Sequence, residues 1–330
     1  MKKKTTKKSQ YLLVDFNQIM LLALFAMRKH ERDDEILEWT DDEIPKQRLK
    51  PEVFENQFRN FFWNMLIGIA GKFDNVAKVI LCLEDVSWRK KVFPYYKAKR
   101  ATTRNIDTFD WKFFYEMLND FRVNELDKYS PFISMKCYEC EGDDIIATLG
   151  IGLSEMYPDD EVIIYSSDKD FVQLLSRPNI KIYSPLKKKY VSSTNPKNDL
   201  LQLILTGDSS DGIPNVYNRD DAYVNPEKDA NGKTKRMKPL GEVTVRKAIV
   251  NNDVYTSIIK TPEIQKNFDR NKLLIDLEMI PKNIKDRIKE EYKKQLKLSE
   301  TKSPAELQRY FAREGLGNVA ASLSKIVHLF

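Results

Sequence analysis

Three short apolar runs that each end in carboxylates constrain this chain more than any other feature: Tyr11-Leu-Leu-Val-Asp15, Val79-Ile-Leu-Cys-Leu-Glu84-Asp85 and Val162-Ile-Ile-Tyr-Ser-Ser-Asp168-Lys-Asp170. Short β-branched runs without polar alternation predict strands buried on both faces, hence parallel strands covered by helices. In such sheets the site lies outside the carboxyl ends of the strands. Two more acidic clusters fit the same logic, Glu141-Gly-Asp143-Asp144 opening a helical pattern and Gly207-Asp208-Ser-Ser-Asp211-Gly212 following another. That many like charges at one edge must be neutralised, and a set of hard oxygen donors selects hard divalent cations such as Mg2+. The chain is predicted to be built around a carboxylate-rich metal site.

Charge narrows what such a site acts on. The 330 residues carry 55 Lys and Arg against 49 Asp and Glu. With eight of these carboxylates set aside as metal ligands, 41 acids face 55 bases, an excess that suits a polyanion held against the metal site. The length can bury a full core in one large domain or two fused ones. No apolar run approaches the ~20 residues of a membrane span, and Met1-Lys-Lys-Lys-Thr-Thr-Lys-Lys8 is not followed by signal-peptide spacing, so a cytoplasmic, unsecreted protein is expected. Cys82, Cys137 and Cys140 cannot make a disulfide framework, and the C-x-x-C pair reads as buried thiols beside a strand. With His30 and His328 the only histidines, His-dependent nucleases, Ser-His-Asp hydrolases and zinc deaminases are disfavoured.

Along the chain, strands are predicted at about 11–16, 77–84, 132–136 and 161–166, with helices over 19–27, 52–71, 110–127 and 142–156 and a short one after Asp170. This βαβ alternation makes an α/β fold with a mostly parallel central sheet flanked by helices. Residues 31–50, with eight acids between Glu31 and Glu43, read as a solvated loop. The aromatic stripe of Phe54, Phe58, Phe61 and Phe62 reads as core. Beyond about 196 the pattern is helical, interrupted at 217–240 by a stretch that reads as a mobile insertion.

Between Trp88 and Arg104 lie seven cations and no acid. Pro94 can open a helix, after which Lys97, Arg100 and Arg104 recur on one face. Cations beside Trp88, Tyr95 and Tyr96, with Lys99 among them, describe a surface that clamps phosphates and stacks bases. The 207–216 segment, with Gly207, Gly212 and Ile213, offers successive backbone groups able to hold a phosphate directly or through a monovalent ion such as K+. The acids at 141–144 have an ordinary capping role as their alternative. Glu141 and Asp143 are nevertheless metal candidates, and Asp144 a further one.

Taken together and in order, these motifs resemble the 5′ nuclease superfamily of flap endonucleases and 5′-to-3′ exonucleases. Within it they look most like the ribonuclease H branch of T-even-like bacteriophages, and Tyr310-Phe-Ala-Arg-Glu-Gly-Leu316 is similar to that branch too. The resemblance implies a PIN-like 5′ nuclease core at 11–195 behind a basic tail at 1–10, with a basic arch at about 86–108. A helical DNA-binding region at 196–330 would contain a helix–turn–helix that grips duplex. Asp15, Glu84 (or its neighbour Asp85), Glu141 and Asp143 would hold one Mg2+, and Asp168, Asp170, Asp208 and Asp211 the second, with Mn2+ able to substitute. Arg89 and Lys97 would contact the scissile phosphate. The implied activity is hydrolysis of RNA·DNA and DNA duplexes and 5′ flaps, for primer removal and flap processing in replication, by a monomer. A PIN-type ribonuclease and a non-catalytic DNA-binding relative are the alternatives. A single-strand-binding protein and a sliding clamp are implied partners; for the clamp, Val327-His-Leu-Phe330 resembles a clamp-binding peptide, with burial against its own domain as the competing reading.

Overall fold

The apolar run nearest the N-terminus is the centre of the sheet. In the computed structural model, which describes residues 8–100 and 108–330, the strands are β1 (Gln10–Asp15), β2 (Leu37–Trp39), β3 (Gln47–Leu49), β4 (Val76–Cys82), β5 (Ile133–Met135), β6 (Glu161–Tyr165), β7 (Ile180–Ser184) and β8 (Lys189–Val191). Six of them form one sheet in the order β5-β4-β1-β6-β7-β8, parallel throughout except for the β7–β8 hairpin at one edge. Leu13 stands level with Ile80 and Ile164 on its two neighbours.

Burial on both faces has the expected cause. Leu12, Val14, Val79, Leu81 and Ile163 pack into one cluster with the helices Phe16–His30 and Arg59–Ala70. Leu13, Ile80, Cys82, Val162 and Ile164 point the other way, into a cluster with Gly142–Met156 and Lys282–Ser299. Each fully buried aliphatic side chain contributes about 1.5–3 kcal/mol. From β1 the chain winds outward to β4 and β5 on one side, then to β6, β7 and β8 on the other. The carboxyl end of β1 is therefore the topological switch point, where a crevice opens.

Several expectations are corrected. Residues 31–50 are not a bare loop: β2 and β3 pair antiparallel, burying Ile36, Leu37 and Leu49. The β7–β8 hairpin was not anticipated. The 52–71 helix exists, but with a wide π turn at Phe54–Phe58. Its aromatic stripe is core, Phe58 and Phe62 stacking with ring centroids 5.6 Å apart, while Phe61 stays partly exposed. The 217–240 stretch is irregular yet tied down, since Asn218 and Lys238 exchange backbone-to-side-chain hydrogen bonds of 2.9 and 3.0 Å and Arg270 pairs with Asp220. The apolar C-terminus is folded onto the chain's own core: Ile326 and Leu329 are buried in the cluster that holds Trp63 and Phe311, which favours burial over a free peptide. Among the described residues no helix is long and apolar enough to cross a membrane.

Candidate active site

At the switch point the backbone delivers carboxylates from several elements into one cavity of about 400 Å3. It is lined by Asp15, Glu84, Asp143, Asp168, Asp170, Asp208 and Asp211, with Lys97, Arg100 and Lys169 among them. Asp15 ends β1 and caps the next helix, accepting from the Gln18 N–H at 3.1 Å and from the Ser166 hydroxyl at 2.9 Å. Ser166 Oγ accepts from the Asp168 N–H at 3.1 Å, and Asp168 Oδ1 from the Asp170 N–H at 2.9 Å. The ends of β1 and β6 are thus laced together, which aims the D-x-D turn inward.

The electrostatics are those of a site in need of cations. Burial pushes Asp15 up to about 6, with Glu84 and Asp168 adding repulsion against the Gln18 and Ser166 hydrogen bonds. Burial, then the charges of Asp168 and Asp208, push Asp170 up to about 7. Asp143 is driven well above its ordinary range by burial and Asp168, and Glu84 is raised by burial despite Lys97. Oδ1 of Asp170 is buried without a hydrogen-bond partner. Among the described residues no three carboxylates converge closely enough to hold an ion as they stand. The mutually repelling hard oxygen donors and the unsatisfied Asp170 oxygen nonetheless fit hard divalent cations.

A consequence can be measured by melting. A carboxyl with a higher pKa folded than unfolded favours folding while protonated, and that contribution is lost as pH rises through the folded value. In EDTA the melting temperature should fall between about pH 4 and pH 7 as Asp15 and Asp170 ionise, and Mg2+ should abolish most of the fall. A flat metal-free profile would mean the repulsion is already compensated within the protein.

The remaining predicted residues are placed differently. Glu141 is buried beside rather than in the cavity, bound by Lys97, by Arg89 at 2.9 Å and by the Ser87 hydroxyl at 2.7 Å. Against the cost of burial, Lys97 and Arg89 hold it down at about 2. Asp144 is fully buried and completes a capping box with the Glu141 backbone while pairing with Arg89 at 2.8 Å, which is a structural rather than a ligating position. Asp85 turns away to cap the Val86 and Glu139 N–H groups, leaving Glu84, two residues past the end of β4, as the carboxylate that faces the cavity.

Arg89 is 3 % exposed, its guanidinium spent on Glu141, Asp144 and the Leu274 carbonyl; it has no open path to a phosphate. Trp88 and Tyr96 are buried as well, so neither can stack on bases. The Tyr96 hydroxyl lies 2.9 Å from both Glu141 and Asp211, and with one proton can donate to only one at a time. Tyr95 is half-buried against Phe93.

The helix expected from Pro94 begins only at Ala98; residues 94–97 are a turn in which Lys97 takes a left-handed backbone (φ 55°) and donates its N–H to the Asp211 carbonyl at 2.7 Å. Lys99 is exposed over the Tyr223 ring, and Arg100 pairs with Asp211 at 2.7 Å. Arg104 lies outside the described residues.

Ile213 is buried, and Gly207 and Gly212 are shielded rather than offered to a ligand. A Cβ on Gly207 would stand 2.3 Å from the Ile213 carbonyl oxygen, and one on Gly212 2.9 Å from that of Tyr95. The glycines let the turn close against itself and against the basic segment. Within the 207–216 turn expected to hold a phosphate through a monovalent ion, the Pro214 carbonyl accepts from the Arg270 guanidinium and the Asn271 amide.

Three residues that line or support the cavity were missed. Gln18 accepts from the Ser167 N–H at 2.7 Å, Ser166 orients Asp15, and Lys169 reaches Asp208 at 3.0 Å. Lys169 sits inside the D-x-D motif, so its position was readable; the other two carry no signal in sequence.

Known proteins give the arrangement a context. Residues 10–202 match the model of the 5′-3′ exonuclease N-terminal resolvase-like domain, and residues 194–326 that of the T4 RNase H C-terminal domain. The ribonuclease H of Enterobacteria phage T4 is 30 % identical over 256 residues, 76 % of this chain and 79 % of that protein. The flap endonuclease Xni of Shewanella pealeana is 32 % identical over 148 residues, 42 % of this chain and 53 % of that protein. Among solved structures, a complex of bacteriophage T5 flap endonuclease with DNA and metal ions superposes with a TM-score of 0.57 at 17 % identity, covering 89 % of this chain and all of that one.

Proposed function

The chain belongs to the 5′-3′ exonuclease family, with a C-terminal part of the T4 RNase H type, and we propose that it is a Mg2+-dependent 5′ nuclease acting on RNA·DNA and DNA duplexes and 5′ flaps, in primer removal and flap processing. The observation that supports this most is the cavity at the switch point, where seven carboxylates share one space with Lys97, Arg100 and Lys169.

Asp15, Glu84 and Asp143 would hold one divalent cation and Asp168, Asp170, Asp208 and Asp211 a second, with Glu141 steering from behind. Such cations supply an activated water near neutral pH and charge neutralisation at the phosphodiester. The chain's own residues do the rest. Lys97, held in place by Glu141 and by the Asp211 carbonyl, presents its ammonium where charge builds on the phosphate. Arg89 and Tyr96 act one layer back by fixing Glu141. Ser166 and the Gln18 N–H keep Asp15 turned toward the cavity.

The helices Pro196–Thr206 and Glu242–Val250 flank the glycine turn and the 217–240 stretch. They would form the helix–turn–helix that grips duplex backbone, with the segment at 86–108 guiding the single-stranded 5′ end. Analysis of products from end-labelled nicked, flapped and RNA-primed duplexes with Mg2+ tests the reading. Products should leave from the 5′ end and carry 5′-phosphates. Release only from 3′ ends, or full activity in EDTA, would exclude it.

A further inference from the structure

The edge hairpin carries charge that the reading above does not use. From Lys181 to Val191 the sequence Lys-Ile-Tyr-Ser-Pro-Leu-Lys-Lys-Lys-Tyr-Val has four lysines and no acid, and residues 186–190 are exposed without a break. The hairpin is bolted to the site. The Leu186 N–H donates to Ser167 Oγ at 3.2 Å, the Lys187 N–H to Ser184 Oγ at 3.2 Å, and the two serine hydroxyls lie 2.7 Å apart. Its tip is thereby fixed to the residue preceding Asp168. Leu186, 64 % exposed, also lines the carboxylate cavity.

Edge strands commonly carry lysines to deter pairing with other edges, and that accounts for Lys189 on β8. It does not account for Lys187 and Lys188 in the turn, nor for an exposed leucine at the rim of a polar cavity. Lys188 has φ 52°, a conformation in which glycine or asparagine would be the less costly residue.

We propose that the β7–β8 hairpin is a second backbone contact for the duplex. Lys187, Lys188 and Lys189 would bear on phosphates while Leu186 packs against the nucleotide at the cavity mouth. This rests on the nuclease reading. Duplex, rather than single strand, follows from the sheet order. The basic segment rises from β4 and the hairpin stands at β8, four strand spacings away, roughly 19 Å. Two cationic surfaces that far apart across the cavity suit two backbones rather than one.

The test is the triple variant Lys187→Ala, Lys188→Ala, Lys189→Ala in the full chain, with affinity for fluorescent duplex and for single strand of equal length measured in EDTA across a salt series. The expected result is a tenfold or greater loss on duplex, a loss of less than twofold on single strand, and a salt slope shallower by about two to three, at unchanged melting temperature. An unchanged slope, an equal loss on both nucleic acids, or aggregation without loss of affinity would each overturn the proposal. If the unsubstituted protein cleaves no duplex, the nuclease reading falls first and this inference with it.

Discussion

Asp170→Asn should cut Mg2+-dependent cleavage by ~10²-fold or more while making the metal-free protein more stable. Asp170 has a buried oxygen without a partner, and its pKa is pushed up to about 7 by burial and by the charges of Asp168 and Asp208. In the absence of cations, ionising it at neutral pH costs free energy that a neutral amide does not. The gain should be about 1 to 3 kcal/mol above pH 7 and should vanish below about pH 4. With Mg2+ the sign reverses for activity, because a charged ligand of the second ion is gone. Metal-free DNA affinity should be unchanged or tighter, since one repulsive charge facing the phosphates is removed. Melting in EDTA, affinity in EDTA and turnover in Mg2+ on one preparation provide the comparison. Near-wild-type cleavage would end the ligand assignment, and lower metal-free stability would show an ordinary turn aspartate.

Arg89→Met should cost about 3–5 kcal/mol of folding stability, the penalty for leaving buried charges without their partner. Its guanidinium neutralises Glu141 and Asp144, both buried, and hydrogen-bonds the Leu274 carbonyl at 2.9 Å at the end of the helix Pro262–Ile275. One side chain therefore ties the basic segment, the start of Gly142–Met156 and the helical region together. Chemical denaturation measures the loss. Had Arg89 been the phosphate contact that the family resemblance implies, the substitution would cost turnover and leave stability nearly unchanged. Arg89→Lys should recover little, because an ammonium cannot reproduce the planar fork that serves three acceptors.

These two residues also mark the division between what the sequence states and what only the fold decides. The sheet was legible because strands buried on both faces must be apolar throughout, and Tyr11-Leu-Leu-Val, Val79-Ile-Leu-Cys and Val162-Ile-Ile-Tyr are. The site at their carboxyl ends was legible because Asp15, Glu84 and the Asp168–Asp170 turn follow those runs directly. The short β2–β3 and β7–β8 hairpins escaped notice because strands of three to five residues with mixed polarity carry little periodic signal. Within the basic segment, charge and aromatic content were plain but direction was not. Whether Arg89, Trp88 and Tyr96 turn inward to Glu141 and Asp144 or outward to a ligand depends on carboxylates more than forty residues away. Lys97, eight residues on in the same run, reaches the cavity because its left-handed turn hydrogen-bonds to Asp211, more than a hundred residues later. Composition and local pattern determine which groups are available. Burial and long-range pairing decide which of them remain free to meet a phosphate.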